Sequence, residues 1–95
     1  MQAPKIRHVT PSRESGDYRL LLEFENGEKR IYDLAPRMES EVFAPLKTRE
    51  LFERVRVTYG SLEWPGERDL AYDSLYAESV PLGADEELRR FAGSI

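Results

Sequence analysis

The chain has 95 residues, no cysteine and a net charge of −4, with 40% apolar and 34% charged side chains. That length fits one modest core and excludes a second, and the lack of cysteine removes disulfides, thiolate metal sites and cysteine nucleophiles. No apolar run reaches the roughly 18 residues of a membrane span and the N-terminus lacks the apolar stretch of a secretion signal, so a cytoplasmic protein with no membrane contact is expected.

Residues 5–13 hold Ile6 and Val9 among polar neighbours, with Pro11 near the end. Proline cannot donate to a central ladder, so this segment reads as an edge strand. After the turn cluster Ser15-Gly16-Asp17, the stretch YRLLLEFENGEKRIYDL places Tyr18, Leu20, Leu22 and Phe24 on one strand face by the period of two. Asn26-Gly27 supplies the positive φ of a two-residue hairpin turn. That loop pairs Glu23 with Arg30, Leu22 with Ile31 and Leu21 with Tyr32, and sets Glu25 against Glu28, a cost that a longer loop would relieve.

Ala35-Pro36 ends the sheet run, and residues 38–45 form a mixed connector anchored by Phe43 and Leu46. Thr48 can cap a short helix that buries Leu51 and Phe52, with Glu50 near its positive end. Val55, Val57 and Tyr59 alternate as a strand, and Gly60-Ser61 suits a hairpin turn pairing Tyr59 with Leu62 and Val57 with Trp64. Pro65 stops that strand. Asp73 is the expected N-cap of a short helix carrying Leu75 and Tyr76. Asp85 caps a last helix with Leu88 and Phe91 on one face. The expectation is an α+β domain: a small antiparallel sheet of two hairpins plus the N-terminal edge strand, with two or three short helices. Residues 1–80 form the domain and residues 81–95 a C-terminal tail.

Residues 1–66 hold eleven basic and eleven acidic side chains, so the whole acidic excess lies in the last third. That balance does not suit a general binder of phosphate backbones. His8 is the only imidazole, set in an edge strand with no Gly-x-Ser-x-Gly elbow and no His-x3-His spacing in the chain, which reads as a surface or half-buried residue. There is no glycine-rich phosphate loop. Asp33, Asp69 and Asp73 are the carboxylates available for acid–base work, yet Asp33 can equally accept backbone donors at its strand end and Asp73 can cap its helix. Trp64 beside Tyr72 and Tyr76 is either an aromatic platform for a base or a peptide, or part of the core.

Phe24-Glu25-Asn26-Gly27, Arg30-Ile31-Tyr32-Asp33-Leu34, Phe52-Glu53-Arg54-Val55, Leu62-Glu63-Trp64-Pro65, Asp69-Leu70 and Leu75-Tyr76 follow one another in an order and spacing that resembles the small bacterial family known as domain of unknown function 2442, over about residues 5–79. The resemblance implies a compact α+β domain and no established activity. It also implies a link to small partner or DNA-binding proteins beside or fused to members, and hence a toxin–antitoxin or regulatory role. The chain departs from the family pattern at Tyr72-Asp73, where members often carry a proline.

Taken together, these features lead to the expectation of a non-catalytic protein-interaction or regulatory module, antitoxin-like, that binds a protein partner or itself. A nucleic-acid-binding regulator using Arg7, Arg13, Arg19, Lys29 and Arg30 is the alternative, disfavoured by net charge, and a carboxylate enzyme on Asp33 and Asp69 comes last. Tyr32, Asp33, Trp64, Asp69 and Tyr76 are the candidate interaction or motif residues. No catalytic residue, metal ligand or cofactor is assigned.

Overall fold

The computed structural model describes residues 2–82. In chain order these form β1 (Ile6–Pro11), β2 (Arg19–Phe24), β3 (Lys29–Asp33), two 3-10 turns (Ala35–Glu39 and Ala44–Lys47), α1 (Arg49–Phe52), β4 (Arg56–Thr58), β5 (Ser61–Trp64), β6 (Arg68–Leu70), α2 (Tyr72–Glu78) and β7 (Val80–Pro81). The strands build a four-stranded sheet in the order β1-β2-β3-β7 and a three-stranded sheet in the order β4-β5-β6, all pairs antiparallel. The α+β expectation holds, with the strands divided between two sheets rather than gathered in one. The division falls where each 3-10 turn carries a proline at its start, which removes a donor from any continuing ladder. The expected helix from Asp85 lies outside the described residues.

The register of the first hairpin differs from the expected one. Leu21 pairs with Ile31, Leu22 with Arg30 and Glu23 with Lys29. Phe24 N–H donates to Glu28 O at 2.9 Å and Gly27 N–H to Phe24 O at 2.9 Å, so the loop spans residues 25–27 with Gly27 at φ +90°. This is a turn closed by a left-handed glycine, and its extra residue removes the Glu25–Glu28 opposition. A slip of one residue changes the face of every side chain it touches. Leu20, Leu22 and Phe24 face inward at 0% exposure, whereas Ile31, paired with Leu21, faces the other way.

The core forms where both sheets, α1 and α2 meet. Leu62, Trp64 and Leu70 from β5 and β6 join Phe52 of α1, Leu75 of α2 and the connector residues Met38, Phe43 and Leu46 against the inner face of β2. Each fully buried side chain of this size contributes about 1.5–3 kcal/mol relative to exposure. β1 runs at the sheet edge as expected, and its first residue reaches the second sheet, where Ile6 N–H donates to Gly60 O at 2.9 Å.

The second hairpin also shifts. Val57 pairs with Leu62 and Thr58 with Ser61, leaving Tyr59 (φ 50°) and Gly60 (φ 81°) as the turn. A Cβ on Gly60 would lie 2.7 Å from Lys5 Cβ, so the close approach of the N-terminal segment requires glycine there; Tyr59 beside it is 95% exposed. A two-residue shift preserves the faces, and Leu62 and Trp64 still point inward. Pro65 ends β5 as expected, but the chain then doubles back as β6, which the sequence did not suggest. Gly66 (φ 88°) and Glu67 (φ 62°) make the turn, and the Arg68 guanidinium clamps it by donating from Nη1 to Pro65 O and from Nε to Val42 O, both at 2.6 Å. Thr48 stands at the N-cap of α1 without a side-chain cap bond. Asp73 is not the N-cap of α2, which runs from Tyr72 with Ala71 at the cap position; the Tyr72 N–H is accepted by Ser61 Oγ at 3.0 Å.

Candidate interaction site

The face of the four-stranded sheet turned away from the core carries its own apolar row. Paired residues share a face, so the register sets Leu21 beside Ile31 and Ile31 beside Val80. Ile31 is only 7% exposed, yet it is not a member of the core cluster; Val80 is 59% exposed. Next to this row opens a cleft of about 530 Å³ in which Ile31, Val80, Pro36 and Pro81 supply apolar surface and Arg37, Glu78 and Tyr32 supply polar groups. That volume lies within the range of ligand-binding clefts, and an apolar lining with a few converging polar groups is their usual composition.

The polar groups are tied together. Arg37 Nε donates to the Tyr32 hydroxyl at 2.6 Å, and the hydroxyl donates to Glu78 Oε1 at 3.3 Å. Arg37 Nη2 completes the cluster on both Glu78 oxygens at 3.0 and 3.2 Å. Burial, opposed by Arg37 and reinforced by Glu78, holds the Tyr32 phenol above its usual range, and the hydrogen bond to Tyr32 raises the Arg37 guanidinium further. Both groups therefore keep their ordinary protonated forms near neutral pH. Arg37 and Glu78 anchor the first 3-10 turn to the end of α2, and sequence reasoning passed over both. Arg37 stands close to Tyr32 in sequence, but Glu78 lies 46 residues away, with no local signal linking them.

The structure scatters the remaining candidate residues. Asp33 also lines the cleft, and its Oδ1 accepts the Ala35 N–H at 3.0 Å, the strand-end role open to it. Asp69 pairs across β5–β6 with Glu63 and lines a separate cleft with Thr58 and Tyr59, so the two aspartates do not share a site. Trp64 is 1% exposed, donates Nε1–H to Phe52 O at 3.0 Å and meets Phe43 edge-on at 6.1 Å. It is a core residue, and an aromatic platform at the surface cannot include it. Tyr76 packs edge-on against Phe24 at 5.1 Å with the Arg30 guanidinium over its ring at 4.7 Å. His8 is exposed on β1, and among the described residues no three His, Asp or Glu side chains converge as a metal site.

Of the basic residues proposed for nucleic acid, those on β2 and β3 divide between the two faces of the sheet. Arg7 lies 3.8 Å from Glu23, Arg19 3.0 Å from Asp17 and Arg30 3.7 Å from Glu28. Arg19 and Lys29 stand on the outer face while Arg30, paired with Leu22, stands on the inner one.

Residues 13–81 match the model of a family described as protein of unknown function DUF2442. The match covers well over half of the chain, and the chain belongs to this family. Its motifs alone place the likeness at about residues 5–79; the matched segment starts after β1 and contains every residue of the cleft. No curated protein and no solved structure matches the chain.

Proposed function

We propose that this DUF2442 member is a non-catalytic interaction module that binds a protein partner, in a regulatory pair of the antitoxin kind, through the outer face of its four-stranded sheet and the adjoining cleft. The observation that carries this reading is the position of Ile31: an apolar side chain on the face opposite the core, flanked by Leu21 and the exposed Val80. Apolar surface with a rim of polar groups is the composition of an interface centre. The Tyr32–Arg37–Glu78 cluster supplies that rim already ordered, which lowers the entropic cost of association.

The test is tagged capture from source cells with wild type, Val80→Asp and Tyr59→Asp. Val80 is 59% exposed and Tyr59 95% exposed, so neither substitution opens a core cavity. A stoichiometric protein should accompany wild type and Tyr59→Asp and disappear with Val80→Asp. Retention by all three would move the interface elsewhere, and a wild type that brings down no other protein and does not associate with itself would end the reading.

A further inference from the structure

The charge pattern of the outer face points to its occupant. Along β2 the outward residues are Arg19, Leu21 and Glu23; opposite them on β3 stand Asp33, Ile31 and Lys29. The apolar pair Leu21–Ile31 is thus bracketed by one oppositely charged pair at each end, and the sign order is reversed between the two strands. Arg19 is held in place by its ion pair with Asp17 at 3.0 Å. A two-fold axis in the plane of the face and across the strands would lay Arg19 over the second copy's Glu23 and Asp33 over the second copy's Lys29. An axis along the strands, between β2 and β3, would lay Arg19 over the second copy's Asp33 and Glu23 over the second copy's Lys29. Either operation puts opposite charges together and apolar on apolar, which is the self-complementarity an isologous interface needs.

Edge-to-edge association has less support. Ser12 N–H donates to Arg19 O at 2.9 Å and Leu82 N–H to Lys29 O at 2.9 Å. Alternate residues of an antiparallel strand point their backbone groups to opposite sides, so the intervening Pro11 and Pro81 are directed outward. Each end of the sheet therefore presents a residue with no N–H, a known block to strand addition.

We infer that the partner on this face is a second copy of the chain, the two sheets stacking face to face about a two-fold axis. This rests on the interaction reading above and names its partner. Stacked sheets lie about 10 Å apart, which brings Leu21 of each copy within reach of a short bismaleimide linker. The chain has no cysteine, so Leu21→Cys introduces one unique thiol, and Tyr59→Cys on the far hairpin gives the control.

Purified wild type should sediment as a concentration-dependent dimer, Leu21→Cys should cross-link to a covalent dimer, and Tyr59→Cys should not. Leu21→Asp, on a side chain outside the core, should raise the dimer dissociation constant by at least about tenfold while its circular dichroism stays that of wild type. A dimer that survives Leu21→Asp, or equal cross-linking at Tyr59→Cys, overturns the inference. A wild type that stays monomeric while Val80→Asp still abolishes capture of a different protein overturns the second copy and leaves the interaction reading standing. A monomer whose capture is indifferent to Val80→Asp overturns both.

Discussion

Trp64 and Ile31 are both large side chains on short antiparallel strands, and both are nearly hidden, at 1% and 7% exposure. Trp64 is enclosed by the shared core, its one polar atom bonded to the Phe52 carbonyl at 3.0 Å. Ile31 stands outside that cluster, on the sheet face opposite the one through which Leu20, Leu22 and Phe24 enter the core. The first kind of burial is required for the domain to exist. The second lies on the face through which we propose that the domain binds its partner, beside Val80, which is exposed.

The sharpest way to break the comparison is to truncate one side chain on each face, Trp64 in the core and Leu21, the cross-strand partner of Ile31, outside it. Trp64→Ala should destabilise the domain by about 3–5 kcal/mol, read as a drop in the urea midpoint. Trp64→Phe should cost about 1–3 kcal/mol, because it leaves the Phe52 carbonyl with only the long 3.4 Å bond from Val55 N–H. Leu21→Ser on the outer face should cost under about 1 kcal/mol. If the two faces lost stability equally, the outer row would be core by another name and the interaction reading would lose its foundation.

A smaller effect tests whether the cleft rim is ordered by its own bonds. Tyr32→Phe removes the acceptor of Arg37 Nε and the donor to Glu78, while the ring remains in place. The expected loss is about 0.5–1.5 kcal/mol of stability, together with a broadened Arg37 Nε–H signal in NMR. An unchanged, sharp signal would show that Glu78 alone fixes the guanidinium.

Whatever depends on period and short-range turn chemistry was legible in the sequence: the β2–β3 hairpin, the inward faces of Leu20, Leu22 and Phe24, the anchors Phe43 and Leu46, and the stop at Pro65. Register was not. It hinges on whether the β2–β3 loop holds two residues or three, and Asn-Gly serves both geometries, with glycine either inside a tight turn or closing a bulge. That single residue decides whether Ile31 joins the core or the outer face. β6 escaped notice because three residues with a charged start give no periodic signal, and β7 because two residues ending in proline read as a break. Of the candidate site residues, Tyr32 and Asp33 meet in the cleft, but their partner Glu78 is brought to Tyr32 by tertiary folding alone. Trp64 drew attention for its rarity, and rarity is equally a property of core tryptophans.

The finest test concerns the loop between β1 and β2, where the ladder that carries the outer face begins. Burial by itself would raise the Asp17 carboxyl, but hydrogen bonds from Arg19 and Ser12, with the Arg19 charge, outweigh it and bring the group below the ordinary aspartate range. Ser12 Oγ donates at 2.9 Å, Arg19 Nε and Nη2 both at 3.0 Å. A carboxyl whose folded value is lowered binds fewer protons in the native than in the unfolded state, so its contribution is complete above the unfolded value and disappears as pH falls through the folded one. Asp17→Asn should therefore be less stable than wild type near neutral pH, with the gap narrowing on the acid side as wild type loses what the variant never had. Urea unfolding at intervals from neutral to strongly acid pH would trace that gap. A difference that stayed constant with pH would mean that Asp17 holds the loop by shape and neutral hydrogen bonding, and that Arg19 is placed at the end of the outer face without help from the charge of its partner.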